Sequence, residues 1–355
     1  MPPEWYPHAA THIGWPYDDE WWVGQLAGAR KEFAELIATI AVFEPVLINV
    51  HSQESHASAE EHLQEAVTEV AGRDYGRPVD EILANISYFK VPINDIWFRD
   101  NGPIFVVNEQ GEVAGTDWEF NAWGGKFEPW RDDNAAAGRL LTHLRMMRFD
   151  IPVVLEGGAI EVNGEGVLIT TRSCLLTDTR NPHLTEKDNE EVLRDHLGVE
   201  RVVWLDKGME FDHTDGHIDT IVRFASDKVL VCTVTDDEAD PSYVSLRRNL
   251  ERLQQLKSSD GAPYRVVTLP LPKRHIMLEG ERVAASYANF YIGNGFVVVP
   301  MYDDERDAEA LEILKPLFPG RRVIGLPSSH IATGGGSFHC ITQQRPVGEV
   351  HNDAS

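Results

Sequence analysis

Hydrophobic and polar positions along this chain repeat one unit: a polar opening, an apolar strand, a tight turn and a second apolar strand. Asp100-Asn101-Gly102 leads into Pro103-Ile104-Phe105-Val106-Val107, with a turn at Asn108 to Gly111. Glu156-Gly157-Gly158 leads into Ala159 to Val162, turns at Asn163-Gly164-Glu165-Gly166 and returns along Val167-Leu168-Ile169. His217 leads into Ile218 to Phe224, a turn at Ser226-Asp227 and Val229 to Cys232. Tyr287-Ala288-Asn289 leads into Phe290-Tyr291-Ile292, then Gly293-Asn294-Gly295 and Phe296 to Val299. Apolar runs around Gly, Asn and Asp turns predict β-hairpins.

Helical spacing fills the intervals. Leu26, Phe33, Leu36, Ile37 and Ile40 share one face, as do Leu140, Leu141, Leu144 and Met147. Segments 184–197, 242–257 and 305–317 read the same way, with Thr185 and Pro241 suited to helix starts. The polar openings stand at 100, 156, 217 and 340, so the gaps are 56, 61 and 123, the last close to twice 61. A strand–helix module repeated about five times fills the chain and predicts a repeat architecture of the α/β class. Modules set around an axis would bring Asp100, Glu156, His217 and Cys340 to one centre. No linker or low-complexity tract interrupts 1–355, which reads as one domain.

Composition narrows the function. A net charge of −25, from 32 basic and 57 acidic residues, argues against nucleic acid and favours a small cationic ligand. The start, Met1-Pro2-Pro3-Glu4-Trp5, has no basic and apolar leader, and no stretch approaches a membrane span. Three cysteines, at 174, 232 and 340, form no framework, which fits a reducing cytoplasm.

The candidate chemistry centres on Cys340, which follows the Gly334-Gly335-Gly336 run. A thiolate there could attack carbon if a cationic neighbour lowers its proton affinity. Gly334 to Gly336 lack the Lys-Ser/Thr ending of a phosphate loop and read as backbone freedom beside the thiol. In His217-Ile218-Asp219, residues two apart in a strand face one side, so base and acid project together. A metal site is the competing reading of the Asp and His cluster. Asp100, after Trp97-Phe98-Arg99, could hold a planar cation by forked hydrogen bonds and stacking. Glu156 could orient His217 as the third member of a triad. Leu278-Glu279-Gly280 repeats Leu155-Glu156-Gly157 without evident chemistry, and Cys232 reads as structural.

Together, Trp97-Phe98-Arg99-Asp100-Asn101-Gly102-Pro103, Glu156-Gly157-Gly158, Gly216-His217-Ile218-Asp219 and the segment ending His339-Cys340-Ile341-Thr342-Gln343-Gln344 resemble the agmatine deiminase family and the bacterial-type peptidylarginine deiminases grouped with it. The opening Met1 to Trp5, Phe120 to Lys126 and Ser286 to Phe290 match as well, so the resemblance runs from 3 to 346. It implies a five-bladed pseudo-symmetric α/β propeller, a pentein. It implies Cys340 as nucleophile, His217 as acid and then base, Asp100 and Asp219 holding the guanidinium, and Glu156 orienting His217. Trp97 and Gly335 would complete the substrate contacts. The implied reaction converts agmatine to N-carbamoylputrescine and ammonia through a thiouronium on Cys340, with no cofactor and no metal, in a homodimer. Alternatives are deimination of peptidyl arginine, amidino transfer on the same fold, a metal hydrolase and a non-catalytic binding module. Two segments depart from the family pattern: Ser337-Phe338-His339, where Asn-Ile-His is usual, and Asp212-His213-Thr214-Asp215. Both flank the core of the site and bear on substrate more than on reaction type.

Overall fold

In the computed structural model, which describes residues 1–350, the repeated unit is a sheet of fixed pattern: an antiparallel pair followed by a parallel third strand. Ile104–Val107 pairs antiparallel with Glu112–Glu119, and Arg148–Val154 lies parallel to the latter. The pattern recurs in Glu161–Val162, Val167–Thr171 and Arg201–Leu205. It recurs again in Val222–Ser226, Val229–Val234 and Arg265–Pro270, and in Tyr291–Gly293, Phe296–Met301 and Arg322–Pro327. The remaining blade joins both ends of the chain. His8–Gly14 runs parallel to Val46–Val50 and antiparallel to Thr342–Pro346. Ile86–Lys90 adds a further parallel strand there. A parallel neighbour requires a crossover. The helices Leu26–Ala41, Ala136–Leu144, Glu186–Leu197, Tyr243–Gln254 and Asp307–Leu314 supply it, one per blade. This is the five-bladed α/β propeller. Residues 351–355 of the expected domain lie outside the described residues.

The central strands read as unbroken apolar runs because both faces are covered, and all of Val167–Thr171 is buried. The Leu26–Ala41 helix buries Phe33, Leu36, Ile37 and Ile40, the stripe expected from their spacing. Thr185 closes a capping box with Asp188 at the start of Glu186–Leu197. Among the described residues no helix is long and apolar enough to cross a membrane.

Three local expectations need correction. The polar openings do not begin strands. Asp100 and Cys340 sit in short helical turns, Phe98–Asn101 and Phe338–Ile341, Glu156 and His217 cap the turns Gly157–Ala159 and Ile218–Thr220, and the strands start after them. His217 and Asp219 therefore do not share a strand face. His217 caps the turn, whose closure includes the Thr220 hydroxyl donating to the His217 carbonyl at 3.0 Å. Met147 lies beyond its helix, which stops at Leu144 because Arg145 is left-handed at φ 52°. The helix near 242 starts at Tyr243, with Ser242 as its cap rather than Pro241.

Candidate active site

The openings of four blades, and one more the spacing left blank, meet around a cavity. Cys340 lies in the turn before the closing strand, 6% exposed. Its Sγ is 3.4 Å from Asp219 Oδ2 and 3.1 Å from Asn289 Nδ2. Asn289 opens the blade that begins at Tyr291, inside the doubled gap between His217 and Cys340. Its Oδ1 accepts the backbone N–H of Ser337 and of His339 at 3.1 Å, and that of Cys340 at 3.3 Å. One amide therefore fixes both the nucleophile's backbone and its sulfur. In the sequence Asn289 only opens a hairpin, with no chemistry attached. The signal was available: a fifth unit had to open somewhere in that gap.

His217 is buried, and its backbone N–H donates to Asp212 Oδ2 at 3.1 Å and to Thr214 Oγ1 at 3.0 Å. Its ring is poised rather than bonded. Nδ1 stands 3.8 Å from Asp100 Oδ2 and Nε2 4.0 Å from Glu156 Oε2, and among the described residues neither nitrogen has a nitrogen or oxygen partner at hydrogen-bond distance, the Cys174 thiol being the ring's closer neighbour. Asp100 is held by the Trp123 indole N–H on Oδ2 and the Gly158 N–H on Oδ1, each at 2.9 Å. Glycine is required at 158: a Cβ would come within 2.5 Å of His217 Nδ1 and 2.8 Å of Asp100 Oδ1. Trp123 reaches Asp100 from a left-handed turn, with φ 54° at both Ala122 and Trp123. Such non-glycine geometry costs about 1–2 kcal/mol per residue and marks a constrained site.

Glu156 does not touch the imidazole. Both its oxygens are taken by Arg180 Nε, at 2.8 and 3.1 Å, and Arg180 also donates to Asp215 Oδ2 and to the Thr214 carbonyl at 2.8 Å. Glu156 therefore acts on His217 through charge at 4.0 Å, not as a bonded third member of a triad. Cys174 packs behind the ring. The ligand-type atoms of Glu156, Cys174 and His217 lie within 4.8 Å of one another, a grouping that bears on the metal reading. The Arg180 guanidinium on Glu156 opposes a second cation there. Glu279, which echoed Glu156 in sequence, sits at the tip of the hairpin Ile276–Leu278 and Glu281–Val283 instead.

Burial and the Asp219 and Asp100 carboxylates push the Cys340 thiol well above the ordinary cysteine range, against hydrogen bonds with Ser337 and Asn289. Burial would lower His217, but Asp100, Cys174 and Glu156 outweigh it and raise it well above the ordinary histidine range. Asp100 is pushed up to about 6, mainly by burial, with His217 opposing and Asp219 and Glu156 adding. Burial would also raise Asp219, yet the His339 hydrogen bond and charge hold it below the usual carboxylate range. These shifts favour a protonated thiol and a protonated imidazole among acids. A cation entering between Asp100 and Asp219 would favour the thiolate.

The cavity walls are aromatic. Trp21, Trp22, Trp97, Trp123 and Phe127 line it, with Asp95, Asp100, Gly334 to Gly336 and Cys340. Trp97 and Gly335 both border the cavity, and Gly335 is left-handed at φ +101°. The Trp97 indole donates to Asp95 Oδ2 at 2.8 Å. His213, in one of the two departing segments, borders the cavity as well. Among the described lining residues there is no arginine or lysine.

A five-bladed propeller with a thiol, an imidazole and two carboxylates at its centre defines the class of guanidine-modifying enzymes. A family model described as the Porphyromonas-type peptidyl-arginine deiminase matches residues 1–346, and the chain belongs to that family. It is 37% identical over 369 residues to the agmatine deiminase of Ectopseudomonas mendocina, covering 98% of this chain and 95% of that one. Among solved structures it resembles an agmatine deiminase of Enterococcus faecalis with a TM-score of 0.88 at 31% identity, covering 98% of this chain and 95% of that chain. It also resembles a cysteine-to-serine variant of the C. jejuni agmatine deiminase with substrate bound, with a TM-score of 0.86 at 29% identity, covering 98% and 96%.

Proposed function

We propose that this protein is an agmatine deiminase, a hydrolase of a linear amidine C–N bond. The observation that carries this is Cys340 beside Asp219, with Asp100 and Cys340 lining an aromatic cavity whose described lining has no arginine or lysine. A free arginine carboxylate would be best held by an arginine clamp. Agmatine has none to hold, and aromatic faces suit its second, alkylammonium end.

In this reading the guanidinium lies between Asp100 and Asp219, and its charge releases the Cys340 proton. The thiolate attacks the guanidinium carbon, forming the C–S bond. His217 gives its proton to the departing nitrogen, the C–N bond breaks and ammonia leaves. The resulting thiouronium is attacked by water, whose proton returns to His217. Collapse breaks the C–S bond and leaves N-carbamoylputrescine, a route to putrescine. Glu156, through charge, favours the protonated imidazole. We read the described chain as one domain, working in the cytoplasm as a homodimer.

Deimination of peptidyl arginine is the second reading, and the description of the matching family model favours it. Purified protein incubated with agmatine, arginine and a blocked arginine peptide separates the two, with ammonia and ureido product measured. Agmatine alone should turn over, and Cys340→Ala should abolish it. Peptide turnover would move the assignment to protein deimination. Loss of agmatine carbon to an added amine without ammonia would mean amidino transfer. No product from any substrate would sink the deiminase reading.

A further inference from the structure

Glu4 stands near the start of the chain, outside the cavity, yet it is 5% exposed and reaches toward the active site. Its Oε2 lies 2.7 Å from His339 Nε2. The other ring nitrogen, Nδ1, lies 2.7 Å from Asp219 Oδ2. That same Oδ2 is 3.4 Å from Cys340 Sγ, while Asp219 Oδ1 is buried without a partner among the described residues. An imidazole with a carboxylate oxygen at hydrogen-bond distance on each nitrogen satisfies both only by donating from both. Glu4 is itself anchored: Oε2 accepts from Arg223 Nη2 at 2.7 Å, Oε1 accepts the Ile292 N–H at 2.6 Å, and Arg99 Nη2 is 3.6 Å away.

We propose that Glu4 and His339 are positioning residues for the deimination reaction, a relay from the chain's first residues that aims Asp219 at the substrate. The inference rests on the deiminase reading. Glu4 fixes the ring of His339 through the 2.7 Å contact to Nε2. His339 occupies Oδ2 of Asp219, which leaves Oδ1 as the oxygen that takes a guanidinium N–H. The relay also explains why His339 precedes the nucleophile directly: one short turn carries both the attacking sulfur and the group that orients its substrate anchor. Arg223, Arg99 and Glu161 surround Glu4, while His217, Asp100 and Cys340 face Asp219.

A double-mutant cycle tests this, with ammonia release from agmatine as readout. Glu4→Gln and His339→Gln should each lower kcat/KM about tenfold to a hundredfold, chiefly through kcat, because the anchor is misaimed rather than lost. The double variant should be no worse than the weaker single, because Glu4 acts only through His339. Losses that multiply, or a folded Glu4→Gln with wild-type kcat/KM, would overturn the relay. If Glu4→Gln does not fold, Glu4→Asp, which keeps the charge and shortens the reach, takes its place in the cycle with the same criteria. Wild-type protein that releases no ammonia from agmatine would sink the proposed function instead. The cycle is then read as the rate at which chloroacetamidine alkylates Cys340, forming C–S and expelling chloride, and non-additive losses in that rate would still support the relay while additive ones would end it.

Discussion

Two clusters of buried charge meet at Asp219, and they differ in how their polar atoms are satisfied. Around Arg223 nearly everything is paired. Nε donates to Glu161 at 3.0 Å, Nη2 to Glu4 at 2.7 Å and Nη1 to the Ala288 carbonyl at 3.2 Å. Glu161 also accepts the Phe224 N–H at 2.7 Å. Around His217 the pairing fails: among the described residues both ring nitrogens and Asp219 Oδ1 lack a nitrogen or oxygen partner, and Asp100, Asp219 and Glu156 crowd the ring. Buried polar groups are costly unless bonded, so the paired cluster reads as structure and the unpaired one as a place kept for a cationic ligand. The unpaired cluster comes from the turns that open the blades, the paired one from the strands that follow, Arg223 in Val222–Ser226 and Glu161 in Glu161–Val162, with Glu4 from the chain's start.

Breaking the unpaired cluster should cost activity first. Cys340→Ala is expected to lower turnover of agmatine by at least about ten-thousandfold, as loss of a nucleophile does, with the melting transition little changed. Gly158→Ala comes next. Its methyl would sit 2.5 Å from His217 Nδ1, so the ring and Asp100 must part. Turnover should fall at least about a hundredfold, and a variant with wild-type kcat would show that the close approach is not needed. Breaking the paired cluster should cost stability. Arg223→Met leaves Glu4 and Glu161 buried without their cation, a loss of about 3–5 kcal/mol in denaturant unfolding. An unchanged unfolding midpoint would remove the structural reading of that cluster.

The same contrast explains how much was legible in the sequence. The propeller was readable because each hairpin carries its own turn signal, as at Asn163 to Gly166, and because the openings recur at nearly even spacing. Asp100, His217, Asp219 and Cys340 were readable because acids, imidazole and thiol at blade openings are conspicuous chemistry. Asn289 was not, because an amide opening a strand looks like a turn residue until its Nδ2 is seen 3.1 Å from sulfur. Arg180 hid in a loop between blades, and its grip on Glu156 turned an expected hydrogen bond into a charge effect at 4.0 Å. Glu4 lies 335 residues from His339, and no local pattern encodes so distant a contact. His217 and Asp219 are placed by the short turn Ile218–Thr220 and its cap, so the alternation of a strand does not describe them.

The smallest expected effect is the most direct probe of the unpaired cluster. Asp100 is pushed up to about 6, chiefly by burial, from an ordinary value near 4. The folded protein therefore holds that proton more tightly than the unfolded chain. Asp100's contribution to stability falls as pH rises from about 4 to about 6, where the carboxylate becomes charged in a site without its cation. Agmatine reverses the sign, because it binds the ionised form. In Cys340→Ala, where no chemistry follows, the affinity for agmatine should be about tenfold weaker at pH 5 than at pH 7. Calorimetric titration at the two pH values measures it, and Asp100→Asn should flatten the difference while weakening binding at both. A pH-independent affinity in Cys340→Ala would mean that Asp100 stays ionised in the empty pocket. The cost of keeping acids unpaired around His217 would then be met by some group other than the substrate.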